Sequence, residues 1–140
     1  MDKKHDKGEG GLAVLQPAGW SRPRGYSNGI AATGKQVFVA GQIGWDEQCR
    51  LVSGDFAEQA RQALRNVVAV LKEAGAGPQH IARMTWYVTD KAEYLAAAKA
   101  IGQSYREIIG AHYPAMTAIQ VPALIEDGAK VEIEATAVVP

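Results

Sequence analysis

The sequence predicts an α+β domain with the element order β-β-α-β-α-β-β, in which one mixed sheet carries two helices on one face. Residues 55–74 have an amphipathic helical period, residues 82–89 alternate as a strand, and a second helical pattern runs from Asp90 to about Gly110. Strand-like segments lie before and after this block. Because strand-helix-strand crossovers are normally right-handed, we expect both helices on the same face of the sheet.

Length and composition predict one domain and argue against some classes of binding partner. The chain has 140 residues, 47% of them hydrophobic, and we expect the domain to span residues 12–140. Residues 1–11 are charged and glycine-rich and lack the apolar stretch of a secretory signal, so a mobile tail is expected there. Fifteen basic and fifteen acidic side chains give zero net charge, which argues against nucleic acid and anionic membranes as partners.

The cysteine and histidine content predicts a cytoplasmic protein without a metal or other cofactor. Cys49 is the single cysteine, so an internal disulfide cannot form. The three histidines are scattered and do not have the spacing of metal ligands. No segment is long and apolar enough to suggest a membrane span.

The first elements are predicted to be short strands around a long loop. Residues 12–17 suggest an edge strand, and a stretch rich in glycine and proline follows it. Residues 29–33 and 36–43 are strand-like and flank Gly34. This arrangement predicts a hairpin with a glycine-containing turn.

Both helices have recognisable ends. Asp55 and Glu58 have the spacing of a capping box at the first helix, and Gly75 is suited to end it. Asp90 and Glu93 repeat the capping pattern at the second helix. We therefore predict two capped helices, each followed by a strand.

Two strands close the chain, at residues 115–121 and 130–138. Alternation assigns Val131 and Ile133 to the helix side of the sheet. If the two strands pair with their alternation in register, the side chains on the uncovered face are those of Glu132, Glu134, Thr136, Met116, Ala118 and Gln120. Such a face is too apolar to stay hydrated and too polar for a monomer core, so we expect other copies of the chain to cover it.

Several segments in this order resemble one known family. They are VFVAGQIGWD, QARQALRNVVAVLKEAGAG, MTWYVTD, YPAMTAIQVPAL and VEIEATAVV. Together they are similar to the Rid/YjgF family of reactive-intermediate deaminases, whose relatives are also called L-PSP endoribonucleases, over residues 19–139. The resemblance implies a chorismate-mutase-like fold and a homotrimer with clefts between subunits that receive a small-molecule metabolite.

The chain departs from this family at two polar positions. In the deaminating members an arginine follows the motif that matches Pro114-Ala115, and it grips the substrate carboxylate; here the residue is Met116. A thioether has neither charge nor N–H donors, so it cannot replace that clamp. Ala40 stands where a hydroxyl residue is often found. Glu132, however, matches the family glutamate that is associated with the attacking water.

The candidate site residues each have an ordinary structural alternative. Met116 either fills a core or an interface, or forms an apolar ligand wall. Glu132 either contacts a ligand or water, or is an exposed or paired strand carboxylate. Arg22 and Arg24 either supply a displaced positive charge or are solvated. The predicted catalytic residue is Glu132, and the predicted ligand-binding residues are Tyr26, Asn28, Trp45, Met116, Ala118, Gln120, Arg22 and Arg24.

These features lead to hypotheses of three kinds. The first is an enzyme that hydrolyses an enamine, an imine or a related reactive metabolite other than a small 2-imino acid. The second is a non-catalytic module that binds a small metabolite in the same cleft. The third, a ribonuclease, follows only from the old family label, and zero net charge without a basic stripe or a histidine pair argues against it.

Overall fold

The computed structural model describes residues 11–140, so residues 1–10 of the predicted tail lie outside the described part. A single-turn 3-10 helix at Pro78–His80 precedes β4. The elements in chain order are β1 (Ala13–Leu15), β2 (Gly29–Ala31), β3 (Lys35–Ile43), α1 (Phe56–Glu73), β4 (Ile81–Val88), α2 (Lys91–Ala96), α3 (Ala98–Ile108), β5 (Ala115–Gln120) and β6 (Val131–Val139).

The main sheet has four strands in the order β3-β6-β4-β5. The last strand of the chain, β6, lies in the interior of the sheet and pairs antiparallel with both β3 and β4. At the other edge β5 pairs parallel with β4, as expected for strands joined by a helical crossover. The predicted α+β class with a mixed sheet is confirmed.

The predicted hairpin between residues 29–33 and 36–43 is wrong. β2 pairs with β1 in a separate two-stranded sheet, where Val14 lies opposite Ile30, and β3 pairs with β6 instead. Gly34 adopts a positive φ of 149°, and a Cβ there would collide with the carbonyl oxygen of Val139. The end of β6 thus occupies the space beside the turn, and a residue with a side chain could not make the same approach.

The first helix begins and ends where predicted, but only one of the two capping-box hydrogen bonds forms, because the Asp55 backbone N–H donates to Ser53. The Asp55 carboxylate accepts a hydrogen bond of 3.1 Å from the Glu58 backbone N–H. At the other end Gly75 has a φ of 69°, which only glycine adopts without strain. Leu64 and Val67 are fully buried against the sheet, and each contributes about 1.5–3 kcal/mol by leaving water.

The second predicted helix is interrupted at Ala97. This residue takes φ −89° and ψ 4°, which ends α2 before α3 begins. Helix propensity alone favours continuity through this alanine-rich stretch, so tertiary packing decides here. On α2, Tyr94 makes edge-to-face contacts with Phe56 and with Trp86, at centroid distances of 6.2 Å and 6.4 Å.

The face assignment of β5 differs from the prediction. Met116 lies beside Met84 in the parallel register, and Met84 is fully buried on the helix side of the sheet. The prediction that alternate residues of β5 share a face with Glu132 is therefore wrong, because β5 pairs with β4 and not with β6, and a shift of one residue reverses a strand's faces. The residues placed on the helix side in this way are Met116, Ala118 and Gln120.

The opposite face of the sheet is not covered by the helices. It carries Glu132, Glu134 and Thr136, as predicted for β6, and large apolar groups lie on it as well. Phe38, paired with Thr136, has 72% of its surface exposed, and Ile119 has 49% exposed. We call this surface the open face.

Tyr105 on α3 gives a prediction about stability at alkaline pH. Its hydroxyl donates a 2.6 Å hydrogen bond to the His112 carbonyl, and burial raises the pKa of this phenol well above its ordinary value. The folded protein therefore keeps a proton that the unfolded chain loses above about pH 10, so stability falls as pH rises beyond that point. Tyr105→Phe should cost about 1–2 kcal/mol at neutral pH and weaken the alkaline loss. Urea unfolding at pH 7 and pH 10.5 measures both effects; an unchanged pH slope would contradict the assignment.

Candidate functional site

Glu132 lies on the open face where β3 bends. The register between β3 and β6 shifts between Val39 and Gln42, and Gly41 falls within this irregular stretch. A Cβ at Gly41 would lie 2.8 Å from the Oε1 atom of Glu132, so the carboxylate rests directly over the glycine. Glycine at this position leaves room for the acid against the backbone of the neighbouring strand.

The next acid on the same strand and face has a different environment. The Tyr87 hydroxyl donates a 2.7 Å hydrogen bond to Glu134, and this bond to the carboxylate raises the pKa of Tyr87. Tyr87 lies opposite Glu132 in the strand register, yet its hydroxyl is bonded to Glu134. Among residues 11–140, Glu132 is in none of the ion pairs. Glu134 thus has a structural partner, whereas Glu132 has no side-chain partner among the described residues.

A second concave region lies at the other edge of the sheet, on the helix side. It is a cavity of about 430 Å³ between α2, α3 and the β4–β5 edge, and Gly25 from the long loop reaches its rim. We call it the aromatic cavity, because its principal lining side chains are Trp86, Tyr94, Tyr105, Tyr113 and Met116.

The rings of this cavity are held in place by packing. Tyr105 and Tyr113 are stacked with centroids 5.8 Å apart and planes 10° apart. The Trp86 indole N–H is buried without an acceptor among the described residues. Met116 is half-buried and packs against the hydrophobic core while also lining the cavity. Both readings offered for Met116, core filler and ligand wall, therefore fit the same position.

The long loop brings two predicted residues close to this region. Arg22 and Tyr26 line a neighbouring cavity of about 340 Å³, which shares Tyr113 with the aromatic cavity. Arg24 is exposed and lines none of the cavities described here. The loop is joined to the segment between α3 and β5 because the Ser27 hydroxyl donates a 2.5 Å hydrogen bond to the Tyr113 carbonyl.

Other predicted residues make local contacts. The side-chain amide of Asn28 donates to Gln16 at 2.8 Å. The Trp45 backbone carbonyl accepts a 2.9 Å bond from Asn66, so this contact does not involve its indole ring. Gln120 accepts a 2.7 Å bond from the first N–H of α2 at Lys91, which gives Gln120 a role in the fold.

Within one chain the predicted site is divided. Met116 is on β5 and faces the helices, whereas Glu132 is on β6 and lies on the open face, with β4 between the two strands. Ala118 lines a small cavity of about 200 Å³ beside the aromatic cavity. A site that uses both Met116 and Glu132 thus requires a second copy of the chain.

Sequence reasoning missed several residues of the aromatic cavity. Tyr94 and Tyr105 fit the helical period and were indistinguishable from core residues, while Tyr113 lies in a turn. Arg106 also lines the cavity, but it is an exposed residue of α3 that directly follows the buried Ser104 and Tyr105. Only the return of β5 beside β4 brings these side chains to one place.

The beginning of β6 is fixed by one buried side chain. Gln59 on α1 is fully buried and accepts a 2.8 Å hydrogen bond from the Lys130 backbone N–H. Its amide nitrogen donates to the carbonyls of Ser53 and Gly128, at 2.9 Å and 3.0 Å. This network holds the strand that carries Glu132 against α1.

Residues 11–140 contain neither a membrane-spanning helix nor a cluster of metal ligands. No helix there is both long and apolar enough to cross a membrane. In the same part of the chain, no group of at least three histidine, cysteine, aspartate or glutamate side chains is placed to hold a metal ion.

The chain is similar to known proteins over most of its length. Residues 20–139 match the family described as Endoribonuclease L-PSP. The human 2-iminobutanoate/2-iminopropanoate deaminase is 34% identical over 114 residues, which cover 81% of this chain and 79% of that protein. A RutC family protein of Synechocystis is 36% identical over 132 residues, covering 92% of this chain and 98% of the relative.

Solved structures of similar sequence also have a similar fold. YyfB of Yersinia pestis, a Rid family protein of unknown function, aligns with a TM-score of 0.82 at 32% identity and covers 91% of this chain and 98% of its own. Escherichia coli TdcF with bound serine aligns with a TM-score of 0.68 at 32% identity, also covering 91% of this chain and 98% of its own.

Proposed function

The chain belongs to the Rid/YjgF family, to which the Endoribonuclease L-PSP description applies, and from this premise we propose that it is a deaminase-type hydrolase acting on an enamine or imine. The observation that carries the proposal is the Glu132 carboxylate, which lies over Gly41 on the open face while its neighbour Glu134 is bonded to Tyr87. A carboxylate that has no partner among residues 11–140, in a family with deaminase relatives, is suited to acid-base catalysis on water.

The chemistry assigned to Glu132 is proton transfer to and from a water molecule. Glu132 takes a proton from water as the oxygen adds to the carbon of the C=N bond, which gives a carbinolamine. Glu132 returns this proton to the nitrogen, and a second proton then passes from the carbinolamine hydroxyl to the same nitrogen. The C–N bond breaks, ammonia leaves and the carbonyl compound remains. The sum is an imine plus water giving a carbonyl compound plus ammonia, and no redox partner is required.

We place this reaction in clefts between three copies of the chain. The supporting observations are the exposed Phe38 and Ile119 on the open face and the division of Met116 and Glu132 between opposite faces. Association would cover the open face and bring the β5 edge of one chain, with Met116, near Glu132 of another. The partners are then further copies of the chain and a small metabolite, and we propose the cytoplasm as the location.

The substrate should differ from a small 2-imino acid. Met116 and Ala40 provide neither a cation nor a hydroxyl donor at two positions where the family often has them, so a short carboxylate has little to hold it there. A larger conjugated enamine of the aminomuconate type, or a related acyl compound, fits an apolar site better.

Ammonia release tests the proposed reaction. The purified protein is incubated with 2-aminoacrylate generated in situ and with a set of larger enamines and imines, and ammonia is followed by a coupled assay. We expect multiple turnovers on at least one larger compound and a rate on 2-aminoacrylate near the uncatalysed one. Fast and selective hydrolysis of 2-aminoacrylate would contradict the substrate assignment.

A non-catalytic metabolite-binding module is the second candidate. It is favoured by Met116 and Ala40, because loss of two polar contacts can abolish turnover while leaving a pocket. Saturable binding of the larger compounds without any ammonia release would favour this function. Ribonuclease activity has no comparable support, since zero net charge provides no general attraction for RNA.

Restoring the family cation at Met116 gives a further prediction. Met116→Arg should produce weak deamination of 2-aminoacrylate, because a guanidinium supplies the bidentate carboxylate contact that a thioether cannot. Met116→Lys is the control, with a charge but no fork, and should gain less. Rates for both variants are compared with the unchanged protein after their fold is checked by circular dichroism. A folded but inert Met116→Arg protein would show that more than this contact has diverged.

A further inference from the structure

The aromatic cavity contains a single charged group. Its lining includes Arg106 from α3, and no aspartate or glutamate side chain contributes to it among residues 11–140. Burial raises the pKa of Tyr105, so this phenol stays neutral at physiological pH. The Arg106 charge therefore has no anion next to it in the wall of the cavity.

The Arg106 guanidinium lies close to Gly102, one turn earlier on α3. A Cβ at Gly102 would lie 3.7 Å from the Nη1 atom of Arg106, so the guanidinium lies back along α3 over the glycine. Gly102 and Arg106 both line the cavity. Among the described residues Arg106 forms no ion pair, whereas Arg61 is bonded to Glu107 at 2.8 Å.

We propose that the aromatic cavity binds the planar, ring-sized part of a carboxylate ligand and that Arg106 at its rim pairs with the carboxylate. This assignment rests on the proposed function, since it names the substrate class of the same protein. In this proposal the positive charge that pairs with the carboxylate lies on α3. The deaminating family members have it on β5, at the position of Met116. Arg22 and Arg24, the sequence candidates for this charge, do not line the aromatic cavity.

The shape and lining of the cavity select this ligand class. A volume of about 430 Å³ accommodates a ring-sized group, and the lining includes the aromatic side chains of Trp86, Tyr94 and Tyr113. Stacking and edge-to-face contacts stabilise a bound planar, unsaturated group more than an aliphatic chain of the same size. A guanidinium beside such walls is a strong partner for a carboxylate, because both groups are planar and pair through two hydrogen bonds.

Matched probes separate the two contributions. Isothermal titration calorimetry is performed with 3-phenylpropanoate, which has the ring and the charge, with 3-phenylpropanamide, which has the ring alone, and with propanoate, which has the charge alone. We expect 3-phenylpropanoate to bind about tenfold more tightly than the amide, as one charge-assisted pair predicts, and propanoate to bind more weakly than both.

Variants assign the binding to these residues. Arg106→Gln should reduce the affinity for 3-phenylpropanoate to that for the amide and leave the amide unchanged, and Arg106→Lys should recover part of the loss. Ala98→Trp places a large ring at an exposed position of the cavity lining and should abolish binding of both aromatic probes. Lys99→Gln removes an exposed charge from the same helix at a position outside the cavity lining and should have no effect.

Three outcomes would overturn the proposal. They are equal affinity of the unchanged protein for acid and amide, unchanged acid binding by Arg106→Gln, and absence of detectable binding by either aromatic probe. None of these measurements involves turnover. Failure here would leave the ammonia-release result standing, and absence of ammonia release would leave a positive binding result standing.

Discussion

Replacing Glu132 by glutamine is expected to reduce ammonia release about 10²–10⁴-fold, the usual contribution of a positioned general base. Glutamine has nearly the same size and keeps a carbonyl oxygen over Gly41, so the strand and the surrounding fold should not change. What the variant loses is the ability to take a proton from water. The initial rate at saturating substrate is the quantity to measure.

Glu134→Gln is the matched control for this experiment. It removes the same charge from the same strand and the same face, but its carboxylate is bonded to Tyr87. We expect its rate to remain within about threefold of the unchanged protein, because Glu134 is not assigned a proton-transfer role. Equal rates for Glu132→Gln and the unchanged protein would remove Glu132 from the mechanism, even if the reaction itself is confirmed.

Gln59→Leu is expected to destabilise the protein by about 3–5 kcal/mol, the range for a broken buried polar network. The substitution removes three part-buried hydrogen bonds, so the Lys130 N–H and the carbonyls of Ser53 and Gly128 lose the fully buried Gln59 side chain as their partner. Leucine fills much of the space but cannot satisfy any of these groups. The free energy of unfolding is measured in urea at one fixed protein concentration, because association shifts apparent stability.

Gln62→Leu on the same helix is the control. Gln62 is half-buried, and among residues 11–140 its side chain bonds only to Asn66, one turn further along α1. Its replacement should cost less than about 1 kcal/mol, as for a solvent-screened pair on a helix surface. Equal losses for the two variants would show that the Gln59 network does not hold β6 in place.

The sequence predicted the local elements well because their signals are local. The cap at Asp55, the stop at Gly75 and the alternation of β6 each depend on neighbours within a few residues. The face of Met116 could not be predicted in the same way. It depends on which strand β5 pairs with and in which register, and both are decided by contacts between distant parts of the chain.

The sequence predicted a site residue only where its strand position and the family resemblance both identified it. Glu132 was identified by its place in a strand and by family resemblance, and its position on the open face agrees with the alternation of β6. Arg106 gave no signal, because an arginine on a helix is ordinarily solvated. Its presence beside Tyr113 and Met116 arises from the packing of α3 over the sheet edge.

The molar mass of the protein in solution tests the central claim most directly. If copies of the chain cover the open face and form the clefts that complete the site, sedimentation equilibrium at micromolar concentration should give about three times the mass of one chain, without dissociation on dilution through that range. A single-chain mass under these conditions would leave Phe38 exposed and Met116 apart from Glu132, and would contradict the account.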